Sequence, residues 1–422
     1  MISSSLSEVL QTVLDYRGKT PKKLGGDWTS EGYRALSALN VKSHGLVKTD
    51  SIRYVNESIY KLWMKEEVQK GDILLTSEAP AGEVMIWNSD EKIVLSQRLF
   101  GLRVNEDVIS NLYLKYYLQS STGQNEIQNN TSGSTVFGIS AKMFDQITIR
   151  YPRIQTQQKI ANILSTLDAK IELNNKINAE LEAMAKLVYD YWFVQFDFPA
   201  SAADAASAGK PALEGKPYKS SGGKMEYNEE LKREIPEGWE VKSLGDYAAI
   251  KKGTLITGKT ANTNGDIKVV SAGISFSYYH SESNYEEDII TVSASGANAG
   301  FVNFWREQIF ACDCTTVRGA NLADTLQILG FLRLRQAYIY KQARGSAQPH
   351  VYPKDIEALQ IAAPPEKIIN AYGKLVVPGN QKISNNLKQN RELMSLRDWL
   401  LPMLMNGQVT VGEAEAKVKE YE

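Results

Sequence analysis

Lys170-Ile171-Glu172-Leu173-Asn174-Asn175-Lys176-Ile177-Asn178-Ala179-Glu180-Leu181 returns 212 positions later (382 − 170) as Lys382-Ile383-Ser384-Asn385-Asn386-Leu387-Lys388-Gln389-Asn390-Arg391-Glu392-Leu393. Lys170, Ile171, Asn174, Lys176, Asn178, Glu180 and Leu181 recur unchanged. The same offset runs back without a gap to Pro152 and Pro364, to Lys142 and Lys354, and to Gly133-Ser134 and Gly345-Ser346. One architecture is written twice in one chain, which points to something two-fold being read.

Around the first copy, Ile160, Leu164, Leu167, Ile171, Asn174, Asn178, Leu181, Ala185, Val188 and Trp192 follow an alternating 4,3 spacing. That is a coiled-coil seam of nearly five heptads. About 36 residues of helix would be roughly 54 Å long, more than one globular domain needs. The plainer reading is one long amphipathic helix packed on its own domain. The second copy keeps the seam at Ile383, Asn386, Asn390, Leu393, Leu400 and Leu404, with Arg397 at an apolar position. Val377-Pro378-Gly379 interrupts it, since proline inside a helix forfeits a hydrogen bond and clashes with the preceding turn. The expectation is a short helix from Glu366 to about Leu375 and a fresh start near Asn380. Asn174, Asn178, Asn386 and Asn390 favour pairing of the two helices within the chain, because buried Asn fixes register and partner at a cost in stability.

Residues 1–153 alternate short β-rich runs (Ile52 to Val55, Asp72 to Thr76, Glu83 to Trp87, Ile93 to Leu95, Ile147 to Ile149) with turn signals, and Leu112 to Leu118 reads as a helix. Residues 235–364 carry comparable runs at Ile267 to Val270, Asp288 to Val292, Phe301 to Phe304 and Ile309 to Ala311, then a helical run from Leu326 to Tyr340. Pro236-Glu237-Gly238-Trp239 reads as the opening of this domain, an aromatic anchor after a turn. From Pro199 to Lys224 the chain is dominated by Ala, Ser, Gly, Pro and Lys, the composition of a linker or exposed loop. The expected division is therefore 1–153, a helical spacer 154–197, a linker 198–234, a second domain 235–364, a second spacer 365–407 and a tail 408–422.

Composition narrows the function. Residues 1–150 hold 17 Lys/Arg against 17 Asp/Glu, and residues 235–364 hold 12 against 13, so neither domain grips nucleic acid by bulk charge alone. If DNA is the ligand, a partner supplies much of the phosphate contact. No run approaches the roughly 18 apolar residues of a membrane span, and MISSSLSEVL lacks a basic region before a long apolar stretch, so a cytoplasmic protein is expected. Cys312 and Cys314 are too few for a disulfide framework or a four-ligand zinc site. His44, His280 and His350 are scattered, and no nucleophile elbow or Asn-Pro-Pro-aromatic methylation motif is present, so no covalent chemistry is expected of the chain.

Gly253-Thr254-Leu255-Ile256-Thr257-Gly258-Lys259-Thr260 fits the phosphate-loop pattern G-x-x-x-x-G-K-[ST] letter for letter. Such a loop needs a buried strand before it and a helix after it. Ala261-Asn262-Thr263-Asn264-Gly265-Asp266 is instead a turn-former cluster. Arg17-Gly18-Lys19-Thr20 places a similar basic triplet in the first domain, and a basic loop present twice suits phosphate-backbone contact better than ATP hydrolysis. Polar loops also recur: Thr76 to Pro80, Leu95 to Arg98 and Thr131 to Thr135 in the first domain, and Ser293 to Asn298, Cys312 to Thr316 and Arg344 to Gln348 in the second. Gln, Asn and Arg can read base edges, while Ser, Thr and glycine amides suit phosphates. The candidate DNA contacts are Arg17, Lys19, Lys22, Ser77, Gln97, Arg98, Ser132, Ser134, Thr135, Lys251, Lys252, Lys259, Ser295, Asn298, Thr316, Arg344, Ser346 and Gln348. An ordinary surface turn remains the competing reading for each loop.

Asp15 to Pro21, Leu74 to Pro80, Ser132 to Ser140, Gln158 to Ala161 with Leu167-Asp168 and Asn174, Tyr191-Trp192-Phe193, Gly209-Lys210-Pro211 and Glu230 to Trp239 together resemble the specificity subunit of Type I restriction-modification systems. The resemblance covers nearly the whole chain. It implies an α+β fold in which two mixed α/β target-recognition domains, a pseudo-two-fold repeat, are held apart by a pair of long antiparallel helices. It further implies a non-catalytic subunit reading a bipartite double-stranded DNA site. Two modification subunits binding S-adenosylmethionine would attach to the helices and methylate adenine, and restriction subunits using ATP and Mg would join them. No cofactor is expected on this chain. The readings that compete are a phosphate-loop nucleotide-binding protein using Lys259 and Thr260, and a coiled-coil scaffold with no DNA role.

Overall fold

A computed structural model describes residues 1–133, 137–256, 264–345 and 348–420. The chain divides into two compact units: unit 1 is Met1–Leu173 with Gln389–Glu422, and unit 2 is Asn174–Lys388.

In unit 1 the central antiparallel sheet is built from β1 (Leu10–Asp15), β2 (Ile73–Thr76), β3 (Val84–Ile86) and β4 (Leu99–Val104), in the order β1-β4-β2-β3. In β2 every side chain is buried, because one face meets Phe100, Tyr113 and Tyr117 and the other meets Trp63 and Trp87. A second, mixed sheet pairs Tyr33–Leu36 antiparallel with Arg53–Val55 and parallel with Ile93–Leu95. A short ladder joins Ile2–Ser5 to Thr148–Tyr151.

Unit 2 repeats this plan. Its central sheet is β5 (Ala249–Lys252), β6 (Ile289–Ser293), β7 (Val302–Trp305) and β8 (Cys314–Arg318), in the order β5-β8-β6-β7. Its mixed sheet pairs Ile267–Val270 antiparallel with Tyr278–His280 and parallel with Ile309–Ala311. The closing ladder joins Glu240–Ser243 to Gln360–Ala363, the latter strand 212 residues beyond Thr148–Tyr151 (360 − 148). The runs expected at Ile93 to Leu95, Ile267 to Val270 and Ile309 to Ala311 are strands with those bounds, and Leu112 to Leu118 lies in the helix Asn111–Gln119.

The first long helix is Ile154–Tyr189, followed by a π-helical turn over Asp190–Val194; the second is Glu366–Met405. Within unit 2 they run antiparallel. Asn386 Nδ2 donates to Asn178 Oδ1 at 2.8 Å, Gly379 faces Leu181, and Tyr372 packs on Phe193. Within unit 1, Ile160, Leu164 and Leu167 share a core with Leu393, Leu396 and Leu400. All four seam asparagines are buried.

Four expectations need correction. The second helix does not restart near Asn380: it is continuous through Pro378. Pro378 is exposed, so the carbonyl it deprives of a partner can meet water. The flanking Tyr372, Val376, Asn380 and Ile383 are buried, and this packing outweighs the roughly 3 kcal/mol proline penalty. The segment expected as a linker is folded. Ser201 caps the helix Ala202–Ser207, Met225–Asn228 pairs with Arg233–Pro236, and Phe198, Ala205, Leu213 and Tyr218 are buried. Phe198 stacks between Tyr218 and Trp239, so sparse aromatics anchor a stretch whose composition is dominated by small residues. The expected C-terminal tail contains a helix, Val411–Lys419, capped by Thr410 and burying Ala414 and Val418 in the unit 1 core. The helical run from Leu326 to Tyr340 is two helices, Leu322–Leu334 and Gln336–Gln342, meeting at Arg335.

Candidate DNA interface

The loops singled out by their polar residues converge at the end of the central sheet in each unit. In unit 1 the chain leaving β2 meets the chain entering β4, where Ser77 N–H donates to Arg98 O at 2.9 Å. The third loop closes on the same point: Ile139 N–H donates to Ser77 O at 2.9 Å, and Ser132 and Gly138 exchange backbone bonds of 2.9 and 3.0 Å. A Cβ on Gly138 would lie 2.5 Å from the Glu78 side chain, so glycine permits this approach. Arg98 holds a left-handed backbone (φ 62) that presents its half-exposed side chain at the rim, with Nε 3.2 Å from Glu78 Oε2.

Arg17 braces the junction from β1. Its Nε and Nη2 reach the two Asp15 carboxylate oxygens at 2.8 and 2.7 Å, Nη1 donates to Ile139 O at 3.0 Å, and its guanidinium lies 3.8 Å above the Phe100 ring. Burial works to raise the Asp15 carboxyl, but the Arg17 guanidinium overcomes it and holds the group below the usual aspartate value.

Unit 2 builds the same junction from other residues. Ala294 N–H donates to Asp313 O at 3.3 Å, Val351 N–H to Ala294 O at 2.9 Å, and Arg344 and His350 exchange bonds of 2.9 and 2.8 Å. Ser132, Gly138 and Ile139 thus correspond to Arg344, His350 and Val351, each 212 residues on (344 − 132). Where unit 1 links Glu78 to Arg98, unit 2 links Ser295 Oγ to Asp313 Oδ2 at 2.5 Å. The backbone frame is shared, and the side chain at its rim is a cation in one unit and a carboxylate in the other.

Gln97, Ser132, Arg344 and Gln348 are exposed at these junctions, and Asn298 is half-buried beside the second. Arg344 Nη2 also reaches Asp355 at 2.9 Å. Lys22 is exposed, and Lys251 and Lys252 are exposed at the end of β5. Lys19 turns inward: its Nζ donates to Trp63 O at 2.8 Å, and burial, with Lys65 nearby, lowers its pKa. Three expected contacts are internal instead. Ser77 is fully buried just past the end of β2, Ser295 is committed to Asp313, and the Thr316 hydroxyl bonds Lys251 O and Tyr285 Oη at 3.0 Å each within β8, which is covered on both faces. Ser134, Thr135, Lys259, Thr260 and Ser346 lie outside the described residues. Glu78, which holds the rim Arg98, and Asp313, the rim side chain of unit 2, were not singled out by the sequence, although both sit within the quoted loops.

The phosphate-loop context is wrong at both ends. β5 is an edge strand with exposed lysines rather than a buried strand, and the next described element is the strand Ile267–Val270, not a helix. Gly253 answers to packing, since a Cβ there would sit 2.1 Å from Cys312 O. Among the described residues there is no cluster of three or more metal-ligating side chains, and no helix is long and apolar enough to cross a membrane.

The profile of the Type I restriction modification DNA specificity domain matches residues 3–183 and 236–393. The chain is 28% identical over 384 residues to the Type I restriction enzyme MjaIX specificity subunit of Methanocaldococcus jannaschii, covering 86% of this chain and 83% of that one. It is 24% identical over 415 residues to the HindI specificity subunit of Haemophilus influenzae, covering 82% and 88%. Its fold is similar to the crystal structure of the Type I restriction-modification S subunit from M. genitalium, with a TM-score of 0.60, 17% identity, and 96% and 95% of the two chains covered. With the profile spanning both halves of the duplicated chain, the protein belongs to the Type I restriction-modification DNA specificity family, the non-catalytic DNA-recognition subunits of these systems.

Proposed function

We propose that this chain reads a bipartite, asymmetric double-stranded DNA site, with residues 1–153 as one target-recognition domain and 235–364 as the other. The observation that carries the reading is the loop junction built twice on one backbone plan, with Arg98 at the rim of the first and Asp313 at the rim of the second. Arginine suits guanine O6 and N7, while aspartate suits the cytosine amino group, so equivalent frames with opposite rim charge would prefer different half-sites. The helical spacers, 154–197 and 365–407, would dock two modification subunits that carry S-adenosylmethionine and methylate adenine. Restriction subunits using ATP and Mg would join that complex in the cytoplasm. The near-neutral charge of both domains fits a complex in which partners supply much of the phosphate contact.

The test is to map methylated adenines in DNA from cells carrying the chain with its modification partner, before and after exchanging residues 1–153 for those of another family member. One half of the site should change and the other stay. A change in both halves would overturn the modular reading.

A further inference from the structure

Each long helix carries a polar residue at the same place in the repeat, the half-buried Asp168 in the first and the buried Asn380 in the second (380 − 168 = 212). In unit 1, Asp168 collects three partners from two other elements. Lys115 Nζ at 3.0 Å and Tyr116 Oη at 2.7 Å come from the helix Asn111–Gln119, and Arg397 Nη1 at 2.9 Å comes from the second long helix. In unit 2, Asn380 accepts from Arg306 Nε at 2.7 Å and donates to Asp288 Oδ1 at 2.9 Å, both on the sheet domain. Arg306 Nη1 then reaches Glu182 of the first long helix at 3.0 Å. In both units one polar cluster ties the sheet domain to both helices at once.

We infer that these two clusters are positioning residues that hold each recognition domain at a single axial register on the helices, and so confine the complex to one distance between half-sites. The inference rests on the bipartite reading above. Its physical basis is the difference between directional and non-directional contacts. Apolar seams attract without direction and can repack after a shift. Adding one base pair to the spacer moves a half-site by about 3.4 Å and turns it by about 35°. A domain following that shift along its helices would break every bond of 2.7–3.0 Å in the cluster, since hydrogen bonds fail beyond about 3.5 Å. It would also leave the largely buried Lys115 and Arg306 side chains without partners, which costs more than forming the pairs gains. The same repeat position thus carries a polar tie to its domain in both units, through a carboxylate and the helix Asn111–Gln119 in unit 1 and through an amide and the strand ends at Asp288 and Arg306 in unit 2.

The full chain with its modification partner is tested on DNA carrying its own two half-sites at the native spacing and at one base pair more or less. The apolar variant Asp168→Leu/Lys115→Met/Arg397→Leu should fold, and its methylation at the altered spacings relative to the native one should rise by roughly tenfold or more. Asp168→Glu, which keeps the charge, should hold the native ratio. An unchanged ratio, with methylation lowered equally at all spacings, would reduce the cluster to a stabilising role and overturn the inference. If the apolar triple does not fold, the same ratio is read on Asp168→Asn and Asn380→Ala with the same two outcomes. A wild-type chain that methylates without regard to either half-site would remove the bipartite reading itself, an outcome distinct from an unchanged ratio.

Discussion

Asn178 and Asn386 share a buried hydrogen bond of 2.8 Å although 208 positions separate them (386 − 178). Each lies on a different long helix, so their contact reports the antiparallel register of the helices within unit 2. Replacing one partner strands the other amide. Asn386→Leu should lower the unfolding free energy by about 1–3 kcal/mol, and the double variant with Asn178→Leu should regain most of the loss. Urea titrations of the four proteins in this cycle check it; additive losses would show that the pair is not coupled.

Arg17 was expected to face DNA and instead braces the first loop junction. Arg17→Lys removes the two-pronged grip on Asp15 and the bond to Ile139 O, which should cost about 1.5–3 kcal/mol. Hydrogen exchange should place the loosening at residues 137–140 and leave the junction of unit 2 unchanged. Equal protection in both proteins would contradict the bracing role.

Asp168 makes unit 1 sensitive to acid. Burial acts to raise its carboxyl, but Lys115, Tyr116 and Arg397 overcome this and hold it below the ordinary value of 3.8. A carboxyl depressed in the folded state contributes its full stability above the unfolded value and loses it as the pH falls through the folded one. Asp168→Asn should therefore flatten the fall in denaturation midpoint below about pH 4. Parallel curves for the two proteins would assign the acid sensitivity to other groups.

The helix Val411–Lys419 inserts Ala414 and Val418 into the unit 1 core. Val418→Asp should destabilise unit 1 by about 1–3 kcal/mol, as buried-charge substitutions do. Exchange protection in the strands of unit 2 should be unaltered. An unchanged melting profile would make this helix dispensable.

Gly253 begins a phosphate-loop pattern for packing reasons. Gly253→Ala should cost about 1–3 kcal/mol through its contact with Cys312 O. Millimolar Mg-ATP should leave the melting temperature of the wild-type chain where it was. A concentration-dependent rise would revive nucleotide binding.

The long helices and the duplication were legible because a seam of period 3.5 and a fixed offset are properties of one dimension. Strands such as Ile93–Leu95 were legible as short β-rich runs between turns. Continuity through Pro378 was not, since whether a proline ends a helix depends on which face it occupies and how firmly its neighbours are packed. The fold of residues 198–234 was hidden by its composition, because Phe198, Tyr218 and Trp239 are few and only three-dimensional stacking reveals their weight. At the candidate interface the three loops that meet were visible as polar stretches between strands, but the inward commitment of Ser77, Ser295 and Thr316 depended on tertiary packing that the letters do not carry.

Unit 1 draws its core from both Met1–Leu173 and Gln389–Glu422, while unit 2 is one unbroken stretch between them. On the ribosome this inverts the usual order in which the first domain made is the first to fold. Leu400, Leu404 and Ala414 must emerge before the unit 1 core can close, by which time every residue of unit 2 has been synthesised. The stretch Met1–Leu173, made before unit 2, waits with its apolar helix face uncovered for Gln389–Glu422, made after it.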